Sequence, residues 1–352
     1  MTTWQPDFLL NRPGALIAAL PAVLGFVPEK SLVLVTLSRG ELGSVMRVDL
    51  SARTTETLAH VGEVAAASRP DAAIAVIVDA DGAQCPMCAE DFRDLADELT
   101  EILAAQGVSL IAAHVVDRVA AGGRWHCADC CGAGGVVDDP RASPLAMAAV
   151  LDGRRLYLRR QELQEVIATD RPARSRRLAG LISDRLKCDD AARREDADGS
   201  ARRDVMAAIA AAARVAGGVE LSDGELAELG CALTDIRVRD TLYALAVAEN
   251  AAEAEALWGV LSRTLPEPWR VEPLVLLAFS AYARGDGPLA GVALEAALRC
   301  SGEHRMAGML DSALQSGLRP EQIRELAKTG YRLADQLGVR LPPRRTFGRW
   351  AG

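Results

Sequence analysis

Aromatic residues are scarce in this chain: they make up 4 % of its 352 residues, so any core must be built from Ala, Val and Leu. Small apolar side chains let helices approach closely, and Ala and Leu favour helix. Long apolar runs are missing too. No stretch reaches eighteen uninterrupted apolar residues, which argues against a membrane-spanning helix. The N-terminus lacks the basic, apolar and small-residue sequence of a signal peptide, so a cytoplasmic location is expected. Positive charge is also in deficit, with a formal net charge of -8. That balance argues against general affinity for nucleic acid. The known short catalytic signatures are absent: no phosphate-binding loop, dinucleotide fingerprint, nucleophile elbow, metalloprotease helix or kinase signature occurs. No nucleotide cofactor is therefore indicated, and the expectation leans away from an enzyme.

What is present is cysteine, eight residues in all, five of them in two knots. The first is Cys85-Pro86-Met87-Cys88. The second is Cys127-Ala128-Asp129-Cys130 with Cys131 and His126 beside it. In a reducing compartment such pairs bind metal or do redox chemistry more often than they form structural disulfides. A two-residue spacing lets both sulfurs of a pair turn toward one ion, and four thiolates make a closed tetrahedral zinc site. The expected ligands are Cys85, Cys88, Cys127 and either Cys130 or Cys131, because adjacent cysteines seldom both ligate one ion. A redox-active or catalytic thiol is the alternative. Cys188, Cys231 and Cys300 are isolated and read as packing residues.

The first part of the chain alternates strand and helix patterns. Ser31 to Leu37 and Val45 to Leu50 read as a hairpin turned by Arg39-Gly40-Glu41-Leu42-Gly43. Thr54 to Ser68 reads as a helix ending before Arg69-Pro70, and Ala72 to Val78 as a strand buried on both faces. An amphipathic helix is expected over Asp91 to Gln106, then a strand over Leu110 to Val116. This is a βαβ unit with parallel strands. With the helix starting only near Glu90, the first knot falls in a loop ahead of it, unlike the dithiol motifs that open a helix. Both knots lie beyond the carboxyl ends of the two parallel strands, the edge where open α/β sheets place ligands. Asp79, Asp81 and Asp117 collect there as well. They read first as turn residues, and in the enzymatic alternative Asp79, Asp117 and His126 would hold a metal. Gly132 to Gly135 reads as a flexible loop, and His60 and His114 as structural.

Arginine is concentrated at Arg154, Arg155, Arg159 and Arg160, and again at Arg171, Arg174, Arg176 and Arg177. Interleaved acids favour a solvated helical face or linker over nucleic-acid contact. From Asp204 onward the pattern is helical throughout. Ser222 with Glu225 makes a capping box. Val271 to Gly302 resembles one tetratricopeptide-type repeat, with Gly285-Asp286 at its turn. Such a surface takes a protein or peptide partner. The expected organisation is an α/β domain with a mixed, partly parallel sheet over 1–170, a charged linker over 171–203, an all-α helical-hairpin domain over 204–340 and a basic tail over 341–352.

Three stretches carry a family resemblance: Leu20 to Pro28 with Ser31 to Val35 and Arg47-Val48-Asp49-Leu50; Gly123-Arg124-Trp125 with Cys127, Cys130 and Cys131; and Leu276 to Phe279 through Gly285-Asp286 to Ala293-Leu294-Glu295. Together they are similar to the actinobacterial domain-of-unknown-function 4192 family. The chain departs from that pattern in a shorter spacer after Trp125, in Gly132 after the paired cysteines and in the added Cys85 and Cys88. The resemblance implies a fold and no activity. The expectation is a non-catalytic cytosolic interaction protein with a structural zinc site, the alternative a thiol- or metal-dependent enzyme acting at the carboxyl edge of the sheet.

Overall fold

The computed structural model describes residues 12–51, 54–67, 69–129, 131–151, 154–169 and 172–345, without the side chains at 41, 54–56, 172–173 and 188–194. The chain divides into two compact units, 1–160 and 161–351.

The first unit is an α/β domain. Its elements run α1 (Pro13–Leu24), β1 (Ser31–Ser38), β2 (Glu41–Asp49), α2 (Thr54–Ala67), β3 (Ala72–Val78), α3 (Pro86–Ala105), β4 (Ser109–Val116), β5 (Arg124–Cys127), β6 (Gly134–Val136) and α4 (Pro144–Leu151). One six-stranded sheet has the order β2-β1-β3-β4-β5-β6. Only the β3–β4 pair, joined through α3, is parallel. That is the expected βαβ unit. The β1–β2 hairpin closes through Arg39 and Gly40, whose positive φ angles of 52° and 79° give the turn the twist that two paired strands need.

Period-two alternation decides what the sheet buries. Leu32 and Leu34 of β1, Ala73, Ala75 and Ile77 of β3, and Ala113 and Val115 of β4 share one face. They pack with Leu58, Val61 and Ala65 of α2 and Phe92, Ala96, Leu99 and Leu103 of α3 in a single cluster. On the other face Val33, Val35 and Val76 are also buried, which explains the continuous apolar runs of the central strands.

Two local expectations need correction. The helix α3 begins at Pro86, not near Glu90, with Cys85 as its N-cap residue. Proline is well placed at a first helical position, where its missing N–H would have had no partner and its φ already suits the helix. Gly134–Val136 is the edge strand β6 and not a loop, although all three residues are exposed.

The second unit is all-α among the described residues. It holds α5 (Arg160–Glu165), whose first residue belongs to the preceding unit, then α6 (Pro172–Glu195), α7 (Ala197–Ala216), α8 (Asp223–Ala232), α9 (Ile236–Leu242), α10 (Ala251–Thr264), α11 (Val271–Arg284), α12 (Gly287–Cys300), α13 (Arg305–Gln315) and α14 (Pro320–Gln336). The segment read as a charged linker is thus taken up by α6 and the start of α7, which begins where Asp196 accepts the Gly199 N–H. The capping box at Ser222 and Glu225 opens α8. Helices α11 and α12 pack as a hairpin. Gly285 turns the chain at φ 87°, and the Asp286 carboxylate accepts the Leu289 N–H to cap α12. Ala278, Ala281, Ala290, Ala293 and Ala297 are buried, so small side chains let the two helices lie close. Most of the arginines expected on a solvated face and described here have partners within the chain: Arg174 and Arg177 both pair with Asp223, and the Arg155 guanidinium lies over the Tyr157 ring. Arg171 and residues 346–352 of the basic tail lie outside the described residues.

Candidate metal centre and thiol pair

Strand β5 decides where the second knot goes. It runs antiparallel to β4, with Trp125 opposite Val116, His126 opposite Val115 and Cys127 opposite His114. Each residue past Arg124 therefore moves the chain back from the carboxyl edge of the sheet. Three steps along a strand carry it about 10 Å. Cys127 thus ends level with the interior of β4, and the expectation that both knots share the carboxyl edge does not hold. The reversal depends on Gly122, with φ 75°, and on Gly123, where a side chain would overlap the Arg118 carbonyl oxygen. Strand β6 then returns, with Arg124 opposite Val136 and His126 opposite Gly134. The knot forms the closed tip of the β5–β6 hairpin.

At that tip the potential ligand atoms of Cys127, Asp129 and Cys131 all lie within 4.8 Å of one another. Cys127 is buried, while Asp129 and Cys131 are exposed. Burial, followed by hydrogen bonding to Asp129 and Cys131, pushes the Cys127 thiol up to about 12. Asp129 is held below the usual carboxylate value, first by the Cys127 thiol and then by the Cys131 N–H, which it accepts at 3.2 Å. A thiol donating to a carboxylate is the arrangement expected while a proton occupies the cluster. A divalent cation there would displace that proton, because a coordinated thiol is deprotonated. Two sulfurs and one carboxylate oxygen fit a borderline-soft ion such as zinc. Cys130 lies outside the described residues.

His114 stands beside the cluster. It is buried, burial lowers its pKa, and the charge of Asp129 opposes that shift. Its ring meets the Trp125 ring edge-on at 5.1 Å, and its Nδ1 has no hydrogen-bond partner. A buried, unpaired imidazole nitrogen is costly unless something supplies a partner.

The first knot is elsewhere. Cys85 is the N-cap of α3 and Cys88 lies in its first turn, both half-buried, while Met87 between them is exposed. The Cys85 carbonyl accepts the Ala89 N–H at 3.1 Å. Its sulfur makes no side-chain capping bond. Its thiol is nevertheless held below the ordinary value, by the Cys88 N–H, the Cys88 thiol and the Met87 N–H in that order. Cys88 moves the opposite way, because its proton is shared with Cys85. Neither residue belongs to the Cys127, Asp129 and Cys131 group.

An open cleft of about 840 Å³ is lined by Gln84, Asp117, Arg124, Trp125 and His126 among others, and by neither Cys85 nor Cys88. Asp117 is committed to structure: it accepts the Arg124 N–H at 2.8 Å and pairs with Arg118 at 2.9 Å. Asp79 accepts the Asp81 N–H at 3.1 Å, and Asp81 pairs with Lys30 at 3.0 Å. Neither carboxylate joins His126 in a group of metal-capable ligands among the described residues. Of the isolated cysteines, Cys231 is buried and donates to the Ile182 carbonyl at 3.6 Å, and Cys300 donates to Glu267 at 3.1 Å. The Cys188 side chain lies outside the described residues. Asp129 is the ligand candidate that sequence reasoning passed over. Its only signal was its place between the cysteines, where an aspartate also suits a turn.

Over residues 13–321 the chain matches the family described as Domain of unknown function (DUF4192), and it belongs to that family. No curated protein and no solved structure matches it. No helix among the described residues is long and apolar enough to cross a membrane.

Proposed function

We propose that this protein is a non-catalytic interaction protein whose α/β unit is pinned by a structural zinc ion and whose helical unit takes a protein or peptide partner. The observation that carries the metal reading is the convergence of Cys127, Asp129 and Cys131 ligand atoms within 4.8 Å. The surrounding fold gives such an ion a purpose. Strands β5 and β6 have four and three residues, and all three residues of β6 are exposed, so little apolar burial holds this edge of the sheet. A metal bridging the hairpin tip would supply what packing does not. Free thiols in this number suit a reducing compartment, and cytoplasmic residence is part of the proposal. In the helical unit, the α11–α12 hairpin with its Gly285-Asp286 turn supports a tetratricopeptide-like role. Pairing of Arg174 and Arg177 with Asp223 leaves less free positive charge for nucleic acid.

Elemental analysis of the full chain, purified under reducing conditions, tests the metal reading. One zinc per chain is expected, lost in Cys127→Ser and Cys131→Ser and kept in Cys85→Ser. Absence of bound metal in the unaltered protein would reject it. Affinity capture with residues 161–351 as bait, compared with the full chain, tests the partner reading, and a partner held by the full chain and not by this unit would contradict it.

A further inference from the structure

We propose that His114 is the fourth ligand of the metal centre, closing it through Nδ1 and leaving no position on the ion for water or substrate. The inference rests on the zinc site proposed at Cys127, Asp129 and Cys131, and it decides what that zinc can do. An ion held by three protein ligands with the fourth position open is arranged for catalysis, whereas one enclosed by four protein ligands is structural. Three ligand atoms converge at the hairpin tip. The identity of the fourth therefore separates the two.

Strand register sets His114 beside the cluster. The Ala113 carbonyl accepts the Ala128 N–H at 2.9 Å, and the Arg124 carbonyl accepts the Asp117 N–H at 3.1 Å. Hydrogen-bonded and non-hydrogen-bonded pairs alternate along antiparallel strands, so His114 and Cys127, opposite one another in register, form a non-hydrogen-bonded pair. In such a pair the Cα atoms are about 4.5 Å apart and both side chains leave the same face of the sheet. The His114 ring and the Cys127 thiol are thus neighbours. His126, one residue earlier on β5, leaves the opposite face and cannot join them.

The surroundings of the ring point the same way. His114 is 6 % exposed, and its Nδ1 has no hydrogen-bond partner among the described residues. A buried polar atom without a partner calls for one, and an ion supplies it through the nitrogen lone pair. Coordination there leaves the ring proton on Nε2. The Trp125 ring, edge-on at 5.1 Å, holds the imidazole in place. His114 stands outside the group whose ligand atoms lie within 4.8 Å of one another, so coordination requires the tip and the ring to close up. That movement falls to Asp129 and Cys131, which are exposed at the tip, while the buried ring and Cys127 stay where they are. Cys130 is the other claimant by sequence. Its neighbour Cys131 is already in the group, however, and adjacent cysteines seldom both ligate one ion.

The test uses the full chain loaded with zinc, followed by competition titration and by zinc K-edge X-ray absorption. The unaltered protein should show sulfur from Cys127 and Cys131 together with the outer-shell scattering of an imidazole. His114→Phe, which keeps a ring in the same space, should lose that scattering and weaken binding by more than about a hundredfold, beyond the roughly 10–100-fold typical of a residue that only orients a ligand. His114→Cys should regain tight binding with one further sulfur at about 2.3 Å. Zinc bound without an imidazole signal, an imidazole signal that persists in His114→Phe, or unchanged affinity in that variant would overturn this ligand and leave the zinc site standing. Loss of a sulfur from the shell in Cys130→Ser would overturn it too, by giving the fourth position to Cys130. Absence of zinc from the unaltered chain would overturn the site and its fourth ligand together.

Discussion

Replacing Gly14 by alanine should destabilise the α/β unit, although the change is one that ordinarily strengthens a helix. Gly14 sits in the first turn of α1, where it meets the edge strand β6. A Cβ at this position would overlap the Val136 carbonyl oxygen and come 3.6 Å from the Trp125 Nε1. The obstructing atom is backbone, so relief requires α1 and β6 to separate. Overpacking of this kind costs about 1–3 kcal/mol. Removing glycine from a helix gains at most about 1 kcal/mol. With the overpacking cost near the middle of its range, about 2 kcal/mol, the net effect is a loss of about 1 kcal/mol or more, read as a lower urea midpoint at unchanged slope. Gly308 in α13 is the control, because nothing lies within 4 Å of its added Cβ. There the same change should stabilise by about 0.5–1 kcal/mol. Hydrogen exchange supplies a second readout: Gly14→Ala should hasten exchange at Gly122 and Val137, whose amides bond across this edge. A neutral or stabilising Gly14→Ala, or unchanged exchange there, would refute the close approach of α1 to β6.

Three further outcomes are expected. Because the Cys127 thiol is pushed up to about 12, it holds its proton through neutral pH. Zinc must expel that proton, so competition titrations should show affinity tightening at least about tenfold per unit as pH rises from about 6 to 8, and a pH-independent affinity would contradict this. Glu272 accepts from Arg239 at 3.1 Å and meets His304 at 3.2 Å, so Glu272→Ala should leave Arg239 inadequately paired and cost the helical unit about 3 kcal/mol in urea unfolding. Ser222→Ala removes the side-chain cap on the Glu225 N–H and one partner of the Glu225 carboxylate, which keeps Arg214 and the residue 222 backbone N–H, and should cost about 1 kcal/mol by the same assay.

The buried strands were legible because their signal is composition over several residues. Ala72–Val78 appears with the bounds its apolar run suggests, since hydrogen bonding on both sides and burial on both faces leave no other use for such a run. The parallel β3–β4 pairing followed from the helix between them. The knots were harder, for local reasons. Pro86 between two cysteines reads as a break, yet at a first helical position it starts α3, and that shift of a few residues puts Cys85 at the helix end. Gly134 and Gly135 have no side chains to display alternation, so β6 showed no pattern. It pairs because Gly135 leaves room for the Trp125 ring, which would lie 3.0 Å from an added Cβ. The Gly122-Gly123 pair, which directly precedes β5, carried the missing information, since glycines in a short link between two strand patterns signal a reversal. With that turn recognised, β5 runs back along β4 and takes Cys127 away from Cys85.

Zinc K-edge X-ray absorption on the metal-loaded full chain tests the metal site most directly. A mixed shell is expected, with sulfur at about 2.3 Å and oxygen at about 2.0–2.2 Å, unchanged in the Cys85→Ser, Cys88→Ser double variant. A shell of light atoms only, or one that loses sulfur in the double variant, would contradict a centre built on Cys127, Asp129 and Cys131.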